Sequence, residues 1–374
     1  MATLALPRRR EWDGAAVLGA VLLIGVVGLF SDLVGTAWDV AWHRTVGRDS
    51  FWIAPHLWTY AGVALNGIAA IVATTTAMGG RRVHGRELRV GPLRAELGLA
   101  LAGTGSAVII AAAPFDDMWH RTFGPDVDIW SPPHMAAIAV GGPLVYLGWA
   151  LALVPGVFPI ADVLRRFLRI GMFGALVGTA IFAMNFYYFA GVTREAFFYP
   201  LLVCATIPFI LAAADALMNE RAGATKVALW YTVVALAVFG ALQIAHWRPP
   251  AFPPLIAAGA IAVDIARRRG ASPLVIAAAF AVAFVGAEWV RMLLFPAPVP
   301  ASIFTATDRG ARLFVQYYEH ALARPWTSAW PLAGMAAGIA AAWLSWVAGA
   351  WIGRKVRLAA ERPSAVRSLL LSPV

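Results

Sequence analysis

The stretch Asp39-Val40-Ala41-Trp42-His43-Arg44-Thr45 and the pair Pro55-His56 recur as Asp116-Asp117-Met118-Trp119-His120-Arg121-Thr122 and Pro133-His134. In each copy an Asp stands four residues before a His, and a Pro-His pair closes the unit. The second copy has one additional residue before its Pro-His pair. An aspartate and two histidines are a suitable ligand set for a transition metal, and a repeated set is much rarer by chance than a single one.

The composition around these stretches indicates an all-α, polytopic integral membrane protein. Of the 374 residues, 60% are hydrophobic and 13% are charged, whereas a soluble domain has about 25% charged residues. The apolar residues form long runs separated by short basic loops, as in multi-pass helical proteins. The net charge of +10 comes from arginine clusters that suit a lipid surface, so we expect a bilayer and no nucleic acid as partner. Cys204 is the single cysteine, so any metal must be held by histidines and carboxylates.

Ten apolar runs approach the roughly 20 residues that a helix needs to cross a bilayer. They cover residues 14–38, 52–78, 95–115, 132–154, 168–190, 197–218, 226–246, 251–266, 272–296 and 328–352. The eighth run is short and begins with two prolines, which favours a tilted or re-entrant segment. The chain then divides into an N-terminal cytoplasmic segment (1–13), duplicated metal-binding hairpins (14–154), further transmembrane helices (155–352) and a basic cytoplasmic tail (353–374).

The loops predict the orientation in the membrane. Every second connection is basic, which by the positive-inside rule puts both termini in the cytoplasm of a bacterial cell with the sites towards the outer side. The basic positions are Arg8, Arg9, Arg10, Arg81, Arg82, Arg86, Arg89, Arg94, Arg165, Arg166, Arg169, Arg221, Lys226, Arg267, Arg268, Arg269, Arg354, Lys355 and Arg357. The N-terminus lacks a clear signal-peptide cleavage site, so we interpret the first run as a retained helix.

This topology predicts two helical hairpins with one three-ligand site each. Residues four apart on a helix share a face, so Asp39 and His43 can point to one place. Pro55 suits the first turn of the returning helix that carries His56. The same reasoning joins a second set, Asp116, His120 and His134.

Simpler structural interpretations apply to several of these groups. A hydrogen-bonded Asp-His pair can stabilise a hairpin turn, and tryptophans are common at a membrane interface. Other loop acids are solvated, cap helices or accept hydrogen bonds from ligating imidazoles; these are Asp49, Asp117, Asp126 and Asp128. His246 and the Glu319-His320 pair could add a third site, but each is isolated in sequence, which favours an interfacial hydrogen-bonding role. We interpret His84 as a solvated side chain, and Glu288 with Arg291 as an ion pair at helical spacing rather than a proton path.

The spacing Asp-x3-His-x12-His of Asp39, His43 and His56 resembles one metal site of the C subunit of copper membrane monooxygenases, the particulate methane and ammonia monooxygenases. That family continues with Asn-x3-His-x13-His, and the second set has this spacing with Asp116 in place of the Asn. The resemblance covers about the first four spans and extends towards residue 250. The C-terminal spans are more extensive than that subunit suggests, and the chain has no cupredoxin-like region.

The resemblance implies one or two copper ions at the six residues, and the oxygen-dependent hydroxylation of a small apolar or nitrogenous substrate. Electrons would come from quinol or another donor, and the partners would be other monooxygenase subunits or further copies of this chain. Two alternatives remain open: a non-catalytic copper-binding or assembly protein, and a membrane zinc-dependent hydrolase of the ceramidase-like kind. Zinc is therefore the alternative metal.

Overall fold

The computed structural model describes residues 14–46, 50–78, 87–90, 93–123, 131–153, 158, 160–184, 195–249, 252–296 and 324–361. Ten helices make up almost all of these residues. They are α1 (Gly14–Thr45), α2 (Ala54–Met78), α3 (Leu97–Phe123), α4 (Pro132–Ala152), α5 (Asp162–Ala183), α6 (Phe198–Met218), α7 (Gly223–Ile244), α8 (Ile256–Arg268), α9 (Pro273–Leu294) and α10 (Trp330–Glu361). The residues of the expected 1–13 segment, His84, Asp49, Asp126, Asp128, Glu319 and His320 lie outside the described residues.

Within the described residues, nine of these helices are long and apolar enough to cross a membrane. The predicted all-α, multi-pass membrane fold is thus confirmed, and each described helix coincides with one predicted span.

The eighth run, for which the sequence favoured a tilted or re-entrant segment, forms the short helix α8 of only 13 residues. Two prolines, Pro253 and Pro254, precede it; proline has no amide hydrogen to donate and disfavours a helical conformation in the residue before it. The first helical turn therefore cannot extend towards the N-terminus.

The irregular segment before α8 is stabilised by a buried ion pair of α9. The amide of Leu255 donates to Glu288 Oε1 at 2.6 Å, and Arg291 Nε donates to Glu288 Oε2 at 2.9 Å. Glu288 is completely buried. The predicted Glu288–Arg291 pair is confirmed. It also has a structural role that the sequence did not indicate: Glu288 accepts the Leu255 amide, which would otherwise lack a hydrogen-bond partner at membrane depth.

A small antiparallel hairpin, β1 (Glu87–Val90) and β2 (Leu93–Glu96), lies in the basic connection between α2 and α3. The sequence predicted only a loop in this connection. Glu96 leads directly into α3, where its Oε2 accepts the amide of Leu99 at 2.8 Å. Burial raises the pKa of the Glu96 carboxyl. The hydrogen bonds that this carboxyl accepts from the amides of Gly98 and Leu99 lower the pKa and so act against the effect of burial.

Glycines set the close approach of the helices in both predicted hairpins. A Cβ on Gly28 would lie 2.7 Å from the carbonyl oxygen of Gly62, so α1 and α2 touch backbone to backbone. A Cβ on Gly105 would lie 2.5 Å from the carbonyl oxygen of Gly141, so α3 and α4 do the same. Small residues allow helices in a membrane to pack this closely, and the two hairpins use the same device.

Consecutive helices alternate in direction, so the bundle has two ends. We call the end at which α1 stops and α2 begins the site end. At the other end Arg267 contacts Asp215 and Asp264, and Asp264 Oδ2 accepts the hydroxyl of Thr225 at 2.6 Å. The basic clusters at residues 165–169, 221–226, 267–269 and 354–357 lie at or next to helix ends on this opposite side.

Candidate metal centre

The first triad joins α1 to α2 at the site end. His43 Nε2 lies 3.4 Å from Asp39 Oδ1, and His56 Nε2 lies 3.1 Å from the same oxygen. All three side chains are only 15–17% exposed. One carboxylate oxygen and two imidazole nitrogens therefore converge on one point, as the spacing predicted.

Local sequence explains this convergence. Asp39 and His43 are one turn apart on α1, and Pro55 in the first turn of α2 has a backbone angle that suits a helix start. Gly35 of α1 packs against Thr59 of α2, where any larger side chain would clash. This contact brings the first turn of α2, with His56, against the last turns of α1.

The second triad repeats the arrangement on α3 and α4. His120 Nε2 lies 3.3 Å from Asp116 Oδ2, and His134 Nε2 lies 3.5 Å from Asp116 Oδ1. Here the two histidines use different oxygens of the carboxylate, whereas in the first triad they share one. The chain continues after His134 in a π-helical turn, Ala136–Gly141, and such turns are frequent at functional sites.

Ser131 is a further residue of the second triad that the sequence analysis missed. Its hydroxyl lies 3.0 Å from His134 Nδ1, and the residue is only 6% exposed. This contact fixes the ring so that Nε2 faces Asp116. Metal-binding histidines commonly use their second nitrogen in this way. The equivalent position of the first copy, three residues before His56, is Ile53, so the repeat gave no signal for it.

The donor atoms have the separations that a bound metal ion requires. Within each triad they all lie within 4.8 Å of one another. Nitrogen and oxygen ligands at about 2.0–2.1 Å from a tetrahedral ion are roughly 3.3 Å apart, close to the Asp–His distances of 3.1–3.5 Å. Each triad could therefore hold a transition-metal ion, and the Asp–His distances suit copper and zinc alike.

The two triads are neighbours and open into the same space. His56 of the first triad and Asp116 of the second line two adjoining cavities of about 220 and 300 Å³. The larger cavity also contacts His120, and the smaller one contacts Asp39 and His134. The sequence predicted a site in each hairpin but not that α2 packs on α3 and brings them together.

An aromatic cluster lies at the site end of α1, next in sequence to the first triad's Asp39 and His43. Trp247 stacks on Trp42 with ring centroids 5.6 Å apart and meets Trp38 edge to face at 6.1 Å. The amide of Arg248 donates to Thr45 Oγ1 at 3.0 Å. The segment after α7 is therefore attached to the end of α1 that carries the first triad.

Two other candidates that the structure describes, His246 and Asp117, lie outside the triads. His246 is exposed and has a left-handed backbone, with φ of 60°, and it belongs to neither triad. Asp117 pairs with Arg121 at 2.7 Å, away from the ligand atoms. Its neighbour Asp116 faces the histidines instead, because adjacent residues point to different sides of a helix.

These observations establish two Asp-His-His triads, each able to hold a metal ion, inside an all-α, multi-pass membrane protein. The chain matches no protein-family model, no curated protein and no solved structure. Its likeness to the copper monooxygenase C subunit consequently rests on the two spaced motifs, and it stays a prediction.

Proposed function

We propose that this chain is a copper-binding membrane protein that takes part in the oxygen-dependent hydroxylation of small apolar or nitrogenous molecules. The observation that carries the proposal is the pairing of two Asp-His-His triads around a common, largely apolar space. Structural metal sites are usually closed by four protein ligands, whereas three leave a position open for chemistry. Affinity for divalent ions in nitrogen and oxygen sites favours copper over zinc.

Bound copper would supply reductive oxygen activation. The protein's own residues have separate parts in this scheme. Asp39 and Asp116 each offset part of the positive charge of an ion, and the four imidazoles bind through Nε2. Ser131 holds one of these rings in place. The cavity lined by both triads admits a small molecule beside them.

The arginine distribution supports an orientation as part of the proposal. The described basic clusters occupy the end opposite the triads, so the positive-inside rule puts that end in the cytoplasm of a bacterial cell and the triads towards the outer side. Electrons would then arrive from quinol in the bilayer or from a partner. Other monooxygenase subunits, or further copies of this chain, are the expected partners.

A second candidate is a zinc-dependent hydrolase. The donor separations are as compatible with zinc as with copper, and zinc bound by three protein ligands can activate water. It accounts less well for a second, adjacent triad, because hydrolysis by one zinc ion needs only one such set.

Metal competition combined with oxygen uptake separates the two candidates. Purified protein in lipid nanodiscs is loaded from equal copper and zinc, its metals are counted, and quinol-dependent oxygen consumption is recorded. We expect copper in both triads, nitrogen ligands in its paramagnetic resonance spectrum, and oxygen uptake that Asp116→Ala reduces. Asp117→Ala is the matched control, since it removes an adjacent carboxylate outside the triad. Preferential zinc binding without oxygen uptake would favour the hydrolase.

A further inference from the structure

The smaller cavity, of about 220 Å³, extends from the triads into the interior of the bundle along one face of α1. Asp32, Thr36 and Asp39 all line it, at the four- and seven-residue spacings that place side chains on one helix face. Seven residues of helix rise about 10.5 Å. The cavity therefore has a metal-ligand carboxylate at one end and a second carboxylate, Asp32, about two turns deeper.

Asp32 belongs to neither triad, so metal binding does not explain a carboxylate at this position. In the described part of the chain its side-chain hydrogen-bond partner is Tyr146, whose hydroxyl donates to Oδ2 at 3.1 Å, and no charged side chain neighbours it. Two acids buried inside the described bundle have a basic partner: Glu288 pairs with Arg291, and Asp264 pairs with Arg267. An acidic group at membrane depth without a basic partner is costly and usually functional.

The walls of the cavity suit a compact apolar body beside this carboxylate. Aromatic side chains from three helices contribute to them: Phe182 of α5, Trp230 and Tyr231 of α7, and Tyr60 of α2. A dry cavity of about 150 Å³ accepts benzene, so about 220 Å³ accepts a molecule of roughly nine non-hydrogen atoms. Aromatic faces also attract a cation.

We propose that this cavity binds a small primary amine as its ammonium cation, with the ammonium group on Asp32 and the apolar body between the aromatic walls. The ammonium cation is the positively charged partner that Asp32 lacks in the described structure, and its N–H groups donate hydrogen bonds to the carboxylate. Tyr146 fixes the carboxylate for this contact. In this position the far end of the amine points along α1 towards Asp39. That the amine is a substrate rests on the proposed function, whereas its binding does not depend on the metals.

Binding is tested on metal-free protein in lipid nanodiscs with three probes of nearly equal shape: benzylammonium, benzyl alcohol and toluene. Equilibrium dialysis of radiolabelled probes gives each dissociation constant. Gly178→Leu provides the background value, because Gly178 lines the cavity and has room for a Cβ, with Tyr231 Cδ2 at 3.8 Å. Its larger side chain should fill the cavity and abolish the binding of all three probes.

The wild-type protein should bind benzylammonium most tightly and toluene least. Asp32→Asn removes a charged hydrogen-bond acceptor, and bonds to charged groups contribute more to binding than bonds between neutral groups. This variant should therefore bind benzylammonium about 10- to 100-fold more weakly. Toluene binding should stay unchanged in this variant, which also shows that the cavity remains folded. Tyr146→Phe should have a smaller effect in the same direction.

Two results would overturn the proposal: benzylammonium binding no tighter than toluene binding in the wild type, or an equal loss of both probes in Asp32→Asn. Preference for benzyl alcohol over benzylammonium would also overturn it, since a protonated Asp32 would then be the recognised state. Because the assay uses no metal and no turnover, a failure of the copper proposal leaves these results unaffected. Conversely, a failure here leaves the triads and their metals untouched.

Discussion

Replacing Ser131 by alanine should weaken metal binding at the second triad alone. The Ser131 hydroxyl lies 3.0 Å from His134 Nδ1 and is shielded from bulk water. When His134 binds a metal through Nε2, its Nδ1–H donates to the Ser131 hydroxyl. Removing this hydroxyl leaves the buried Nδ1–H without a hydrogen-bond acceptor, at a cost of about 1–3 kcal/mol. The ring also gains freedom to turn away from Asp116. Loss of such a supporting contact typically reduces metal affinity by about 10- to 100-fold.

The magnitude can be measured one site at a time. In a His43→Ala background only the second triad remains complete, so a copper titration against a chelator of known affinity reports that triad alone. Ser131→Ala in this background should raise the dissociation constant by about 10- to 100-fold, or about 1.4–2.7 kcal/mol. In a His120→Ala background, where the first triad remains, the same substitution should change nothing.

Ser50→Ala is the matched control, because Ser50 is an exposed serine of the first hairpin turn, and its Oγ accepts a long, 3.4 Å hydrogen bond from the amide of Trp52. It should leave both affinities as they are. An unchanged affinity of the second triad in Ser131→Ala would refute the reasoning, since the ring would then be held by packing alone. A loss in the first triad as well would show that the two triads are one coupled cluster.

Three further predictions follow from the geometry. Copper titration at fixed pH should rank wild type above Asp116→Asn, whose amide oxygen still reaches the ion, and that variant above Asp116→Ala; equal affinities would reduce Asp116 to a turn stabiliser. Gly62→Leu should destabilise the protein by about 1–3 kcal/mol through overpacking and disrupt the first triad. Thermal stability and copper content measure the two effects, and intact copper binding would mean that α1 and α2 need not touch. In a Cys204→Ser background, a cysteine near Asp49 should react with an impermeant reagent from outside and one near Arg86 should not; the reverse would invert the orientation.

Periodicity and composition were sufficient to predict most of the fold. Long apolar runs located the helices, because a membrane span needs a fixed length of apolar residues. Helix ends were less predictable: α1 and α3 continue through the Asp-x3-His motifs to Thr45 and Phe123, beyond the apolar runs. Polar ligands at a helix end keep helical geometry while interrupting the hydrophobic pattern that marks the span.

Contacts between distant residues were the part that the sequence could not predict. The two triads followed from spacing within each hairpin, where four-residue steps on a helix fix the geometry. Their common cavity depends on how α2 packs against α3, and no local pattern specifies this. The same applies to Trp247, which follows α7 and packs on Trp42 of α1, and to the hydrogen bond between Glu288 and Leu255 before α8.

The central claim is that each triad holds its own metal ion, and the number of ions per chain tests it most directly. Protein in nanodiscs is saturated with copper, freed of excess metal, and analysed by mass spectrometry for copper per polypeptide. The wild type should hold two ions, His43→Ala and His120→Ala one each, and the double variant none. A folded single variant that holds no copper, or a double variant that still holds two ions, would contradict the claim.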